Sequence, residues 1–269
     1  MSGPINLETY FERIRWGGDT SATFDTLAGL LSAHMARIPF ENLDVLLGRP
    51  VRLDLAGLQD KLVRGSRGGY CFEHATLFAA VLEQLGFRPV RHAARAILRS
   101  PRSESPRGHM FLTVPIDGAT FVVDPGFGPY APRAPVPLAD TSTAPAKGET
   151  HSMRRDGDLW VLQAGRSGEP VPAWVTTLEA ENAIDFEVAN HWTATHPASP
   201  FVHVMMLSAI TPEGRINVMN RDVTIERGNE QSSSQLVDRA QLRALLAESF
   251  GFDLPEIERL RVPTIPDWQ

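Results

Sequence analysis

Arg67-Gly68-Gly69-Tyr70-Cys71-Phe72-Glu73-His74 carries the only cysteine of the chain, at the point where a glycine pair ends and an apolar helical pattern begins. From there Ala75, Phe78, Leu82 and Leu85 fall at the i, i+3, i+4, i+7 spacing of one helical face, and Gly86 stands where a helix closes. Cys71 therefore belongs to the first turn of a helix. Unpaired backbone N–H groups and the positive end of the helix dipole favour a thiolate there. A lone cysteine is most often a small buried hydrophobe. The glycine pair argues for more, because it turns the backbone sharply and leaves room in front of the sulfur.

Upstream, three amphipathic stripes each follow a residue able to cap a helix. Leu7, Tyr10, Phe11 and Ile14 follow Asn6; Leu27, Leu30, Leu31 and Met35 follow Thr23; Leu55, Leu58 and Leu62 follow Asp54. Pro39 breaks the second helix and forces Ile38-Pro39-Phe40-Glu41-Asn42-Leu43 to be extended. Residues 1–86 thus read as a helical region containing the cysteine. Downstream the period changes. Val90 to Leu98, His109 to Val114, Thr120 to Val123 and Leu159 to Leu162 are short, β-rich and separated by turn residues, so 87–190 reads as a small barrel or curled sheet. Within it, Pro129, Pro132, Pro135, Pro137 and Pro145 mark a long irregular connection, read as an ordered loop over a site or a surface excursion. Residues 191–269 hold two strand-like runs, Phe201 to Ile210 and Ile216 to Ile225, joined around Pro212-Glu213-Gly214. A helix follows, opened by Asp238 and Gln241, striped by Leu242, Leu245 and Leu246, and ended by Gly251.

The 269 residues are 42% hydrophobic and 22% charged, ordinary for a globular protein, and a net charge of −6 gives no electrostatic reason to expect nucleic acid as a partner. Residues 1–12 lack a charged segment followed by an apolar run, and no apolar stretch reaches membrane-spanning length. The expectation is a cytoplasmic protein without membrane association, in a compartment that keeps a single thiol reduced. His191, His196 and His203 have neither paired cysteines nor a His-Glu-x-x-His helix beside them, so no metal site is expected. Gly126-Phe127-Gly128 follows a strand but lacks the spacing of a dinucleotide loop.

A thiolate nucleophile needs a base, and the base needs a group to orient it. Of the eight histidines, His34 lies on an apolar helical face and His74 on the cysteine's own helix, so both read as packing residues. His109 is different. It opens a β-like run that ends at Asp117-Gly118, and a second run leads to Asp124. Asp-Gly between two such runs specifies a two-residue hairpin turn. That register sets His109 opposite Gly126 and Phe111 opposite Asp124, so His109 and Asp124 are diagonal neighbours on one face. Their β-carbons then lie within roughly 5 to 8 Å.

These residues, taken together, resemble the arylamine N-acetyltransferases in their bacterial form. The likeness is carried by Tyr10-Phe11-Glu12-Arg13-Ile14, Ile38-Pro39-Phe40-Glu41-Asn42-Leu43-Asp44, Arg67-Gly68-Gly69-Tyr70-Cys71-Phe72-Glu73, Leu85-Gly86-Phe87, His109 at a strand start, and Asp124-Pro125-Gly126-Phe127-Gly128; the last third of the chain matches loosely. The resemblance implies an α+β fold: an N-terminal helical bundle over 1–86, a central β-barrel over 87–190 and a C-terminal α/β lid over 191–269, around a catalytic core like that of cysteine proteases and transglutaminases. It implies Cys71 as nucleophile, His109 as its proton partner and Asp124 as the orienting carboxylate. The implied reaction is ping-pong: acetyl-CoA, a co-substrate with no bound cofactor, acetylates Cys71, and an arylamine, arylhydrazine or N-hydroxyarylamine takes the group. Phe40, Ala96, Phe127 and Phe201 match the pocket walls, and Gly126 and Gly128 match the backbone beside the CoA pyrophosphate. Arg99, Arg102 and Arg107 read as a solvated loop.

Three departures stand out. Pro125 removes a backbone donor, Ala96 widens the acceptor pocket, and Gly108 offers no hydroxyl to CoA. An amide synthase releasing a polyketide from a carrier thioester, and a thiol hydrolase, would use the same three residues; a non-catalytic binding module would use none of them. A monomer and a homodimer are both compatible with the sequence.

Overall fold

The computed structural model describes residues 4–140, 150–165, 170–212, 214–228 and 230–268. Its first part is helical, and the expected caps are in place. Helix α1 (Leu7–Ile14) starts at Asn6, whose side chain accepts from the Thr9 N–H, and α2 (Phe24–Arg37) starts at Thr23, whose hydroxyl accepts from the Thr26 N–H. Pro39 ends α2 and turns the chain into the two-residue strand β1 (Phe40–Glu41), followed by the short helix α3 (Leu43–Leu46). Asp54 caps α4 (Leu55–Leu58), which runs on as a π-helical turn over Gln59–Arg64. Helix α5 (Cys71–Gln84) begins at the cysteine itself and packs most of its length into the core, with Phe72, Ala75, Leu77, Phe78, Ala79, Val81 and Leu82 buried. Gly86, at φ +85°, closes it.

A seven-stranded antiparallel sheet packs against α5. It comprises β2 (Val90–Ala96), β3 (His109–Ile116), β4 (Ala119–Val123), β5 (Val136–Pro137), β6 (Thr150–Asp156), β7 (Leu159–Gly165) and β8 (Val171–Thr176), in the order β5-β4-β3-β2-β8-β7-β6. Its two edge strands lie in contact, so the sheet curls into a nearly closed barrel around Phe111, Val122, Leu162 and Trp174. The hairpin joining β3 to β4 has the register read from the sequence: Ile116 pairs Ala119 and Leu112 pairs Val123. Asp117 (φ 49°) and Gly118 (φ 79°) form the turn in the left-handed conformation that suits strand twist.

Helix α6 (Ala183–Thr195) follows and runs through residue 190, where the sequence reading changed region. This helix has no clear stripe in the sequence, because apolar residues lie on two of its faces: Phe186 points inward while Ile184 and Val188 are exposed. A second antiparallel sheet completes the fold in the order β1-β9-β10-β11-β12, from β9 (Met206–Thr211), β10 (Gly214–Met219), β11 (Asp222–Arg227) and β12 (Glu230–Gln235). Helix α7 (Arg239–Leu245), capped by Asp238, covers it together with a π-helical turn that ends at Gly251.

Two strand readings need correction. The run from Phe201 is strand only from Met206, because Pro200 and the Ser199 side chain set a 3-10 turn over Pro200–Val202. The run from Ile216 to Ile225 is two strands, split where Asn220 adopts φ 54° and Met219 pairs Asp222 across a two-residue turn. Glu213 of the expected junction and Pro145 of the proline-rich connection lie outside the described residues. Among the described residues, no helix is long and apolar enough to cross a membrane.

Candidate active site

Cys71 Sγ, His109 and Asp124 meet where the N-terminus of α5 abuts the start of β3. All three are buried. His109 Nε2 donates to Asp124 Oδ2 at 2.8 Å. Its other ring nitrogen is left for the sulfur, which also acts on the imidazole. Cys71 Sγ lies 3.8 Å from the Gly108 carbonyl oxygen, just before the histidine. Burial by itself would strip the proton from His109. The charge and hydrogen bond of Asp124, with the Cys71 sulfur, overrule it and push the imidazole pKa up to about 10. The imidazolium is thus the resting form at neutral pH, a positive charge beside the sulfur.

Asp124 is held by three donors. Oδ2 accepts from His109 and, at 2.9 Å, from the Trp174 indole N–H, and Oδ1 accepts from the Gly126 N–H at 3.3 Å. Pro125 between them has no N–H to give. Trp174 was absent from the sequence reading. It sits on β8, fifty residues beyond the carboxylate; Pro172 two residues earlier hid that strand, since proline is rare inside sheets.

Of the other matched aromatic residues, Phe127 packs against the histidine. The Phe127 ring lies 4.6 Å from the His109 ring, centroid to centroid, and Phe40 and Phe201 face each other at 6.5 Å. All three are half-buried, whereas Ala96, at the end of β2, is exposed. Gly126 has a structural reason to be glycine: a Cβ there would stand 2.5 Å from Cys71 Cα. Gly128, at φ +56°, lies beside the Phe40 ring. Gly126→Ala is accordingly expected to lower the unfolding free energy by about 1–3 kcal/mol and to displace the sulfur. Thermal unfolding with an activity assay would check this, and a variant of unchanged stability and rate would contradict it.

Behind α5 lies a buried ion cluster. Lys61 Nζ reaches Asp44 Oδ2 at 2.6 Å and Glu73 Oε1 at 2.8 Å, and Arg67 Nη2 reaches Glu41 Oε1 at 2.6 Å and Asp44 Oδ1 at 3.2 Å. Burial pushes the Glu73 carboxyl up to about 7, with Lys61 opposing. Burial also works against the charge on Asp44, but Lys61 and Arg67 overrule it and hold that carboxyl below the usual range. The cluster clamps the chain on both sides of the sulfur. Glu73 Oε2 accepts from the Tyr70 N–H at 3.1 Å, Glu41 Oε2 accepts from the Leu43 N–H at 2.7 Å, and the Glu41 N–H donates to the Gly69 carbonyl at 2.8 Å. Removing Arg67 would leave two carboxylates short of a counterion, so Arg67→Ala should cost about 3–5 kcal/mol of stability. Denaturant unfolding reads that directly, and a loss under about 1 kcal/mol would contradict it.

The two remaining buried histidines of the bundle pack, as their positions suggested. The Pro39 carbonyl can only accept, so His74 Nε2, 3.2 Å away, carries the proton. His74 Nδ1 then accepts from His34 Nε2 at 2.9 Å, and His34 Nδ1 accepts from the Tyr10 hydroxyl at 2.9 Å. Burial drives the pKa of His74 down to about 4 and that of His34 well below the usual range. Both stay neutral and brace Pro39 behind the site. Arg99 is exposed, with its guanidinium against Met219 Sδ, Arg102 is exposed, and Arg107 pairs with Glu181. Among the described residues, no group of three or more His, Cys, Asp or Glu is placed to hold a metal ion.

Residues 23–259 match a family model described as N-acetyltransferase. The arylamine N-acetyltransferase of Mycobacterium tuberculosis strain H37Rv is 38% identical over 258 residues, covering 94% of this chain and 91% of the relative. The arylamine N-acetyltransferase / N-hydroxyarylamine O-acetyltransferase of Salmonella typhimurium is 32% identical over 255 residues, covering 94% and 90%. The solved structure of Mycobacterium marinum arylamine N-acetyltransferase in complex with CoA superposes with a TM-score of 0.88 at 34% identity, covering 94% of each chain. With an identity of this level sustained over nearly its whole length, the chain belongs to the arylamine N-acetyltransferase family.

Proposed function

We propose that this protein transfers acetyl from acetyl-CoA through a thioester on Cys71 to arylamines, arylhydrazines or N-hydroxyarylamines. The observation that carries the reading is the buried His109–Asp124 pair at 2.8 Å, with the only cysteine of the chain buried beside the imidazole. The thiolate attacks the thioester carbonyl, and the tetrahedral intermediate collapses with loss of the CoA thiolate, which takes the proton of the His109 imidazolium. His109 is then neutral, and it accepts the proton that the amine loses as it attacks the acetyl carbon. Collapse releases the amide and restores the thiolate–imidazolium pair. An aromatic amine suits the second half, because it is weakly basic and keeps its lone pair free at neutral pH.

In this reading Phe40, Phe127, Phe201 and Ala96 border the acceptor and acyl group, and the backbone at Gly126 and Gly128 lies beside the CoA pyrophosphate. The bundle over 1–86 supplies the nucleophile, the barrel over 87–190 the histidine and carboxylate, and 191–269 the lid. The enzyme works in the cytoplasm, as a monomer or homodimer. The relative that carries N-hydroxyarylamine O-acetyltransferase in its name supports the oxygen acceptors, and the CoA-bound neighbour supports the donor.

Steady-state kinetics with acetyl-CoA and a panel of arylamines and hydrazines test the proposal. Parallel double-reciprocal lines and acetylated amine as product are expected. Acetate released equally fast with and without amine would overturn it in favour of hydrolysis.

A further inference from the structure

Trp174 is, among the described residues, the one side chain hydrogen-bonded to Asp124 that cannot titrate, and a bulge in its strand places it. Strand β8 pairs with β7 through Leu162↔Trp174 and then Gln163↔Pro172, so Ala173 is an extra, bulged residue immediately before the tryptophan. Bulges re-aim side chains and concentrate beside active sites. The indole is fully buried, lies stacked on Phe111 at 4.4 Å between ring centroids, and stands 6.2 Å from the His109 ring. Its N–H points at the same carboxylate oxygen that receives the His109 proton.

We propose that Trp174 is a positioning residue for the reaction: its indole N–H anchors Asp124 Oδ2 so that the carboxylate holds His109 protonated and aligned with Cys71. The inference rests on the acetyl-transfer reading above and deepens it. The carboxylate has no solvent to stabilise its charge, being 0% exposed, and so depends on its donors. An indole donates only, at every pH, so it cannot compete with His109 for the proton. The titratable groups around Asp124 are Cys71 and His74 on α5 and His109 on β3, with His92 on β2 stacked against Phe111; β8, Val171–Thr176, brings none. Removing the indole N–H leaves Oδ2 with a single donor and frees the carboxylate to turn away from the imidazole, so the charge that holds the His109 proton is no longer aimed at it.

Two replacements separate this role from packing. Trp174→Phe removes the N–H and part of the ring; site-specific incorporation of 3-benzothienylalanine at position 174 replaces the N–H and keeps the two-ring shape. The readouts are the His109 titration by nitrogen NMR and the steady-state constants with acetyl-CoA and a hydrazine. In the wild type His109 is expected to titrate near 10. In both replacements its midpoint should fall by about one unit or more, with kcat down roughly ten-fold and KM for the hydrazine within about two-fold. A folded benzothienyl protein with His109 titrating as in the wild type and kcat within about two-fold would overturn the inference and leave the acetyl-transfer reading standing. A wild-type His109 titrating in the ordinary imidazole range, with no acetylation of Cys71, would instead overturn that reading and this inference with it.

Discussion

Cys71→Ser is expected to lose acetyl transfer to a hydrazine by roughly four orders of magnitude or more while remaining folded. The substitution changes one buried atom, and His109 and Asp124 stay in hydrogen-bond contact with each other at 2.8 Å. What it removes is the anion. A serine hydroxyl is far too weak an acid to lose its proton to an imidazole in the resting enzyme, and a neutral hydroxyl is a poor nucleophile toward a thioester. The helix N-terminus does not rescue it, because the dipole contributes only about 0.3–2 kcal/mol. Single-turnover acetylation, with circular dichroism to verify folding, is the measurement. A folded serine variant that acetylates a hydrazine within about a hundred-fold of the wild type would remove Cys71 from the chemistry.

Asp124→Asn should lower kcat by roughly three to four orders of magnitude. The reason is the count of donors. His109 and Trp174 both donate to Oδ2, and Gly126 donates to Oδ1. An amide has only one oxygen. If it faces His109 and Trp174, the NH2 group opposes the Gly126 N–H; if it faces Gly126, the NH2 opposes two donors. Either way a buried donor meets a donor. The negative charge that outweighs burial at His109 also disappears, so the imidazole pKa should drop from about 10 toward or below the ordinary histidine range. Retention of more than about a tenth of the wild-type kcat, with His109 titrating unchanged, would transfer the orienting role to another residue.

The pairing of His109 with Asp124 was legible for a local reason. Two residues, Asp117 and Gly118, fix the hairpin register, and that register alone puts His109 and Asp124 on one face. The helix starting at Cys71 was legible because an apolar stripe with a glycine at each end has few other readings. What stayed hidden depends on contacts between distant segments. Nothing near Trp174 announces that its indole reaches Asp124, and a strand containing Pro172 reads as a loop until the bulge and the neighbouring strands are seen. Strand β12, Glu230–Gln235, is polar throughout and carries no alternation to read. The charges of Glu41, Asp44, Lys61, Arg67 and Glu73 look like solvated surface one by one, and only the fold, which brings these five together from separate segments, makes them a buried cluster. The resemblance sets Gly126 beside the CoA pyrophosphate; within the chain, its closest constraint is the backbone of Cys71.

The central claim is that Cys71 is the nucleophile and that His109 activates it. The rate of alkylation by limiting iodoacetamide at pH 7, in the wild type and in His109→Ala, tests it most directly. Alkylation of wild-type Cys71 well above the rate of a free thiol, falling at least roughly ten-fold in the variant, is the predicted result. A wild-type rate no greater than that of free cysteine, unchanged when His109 is removed, would contradict the account.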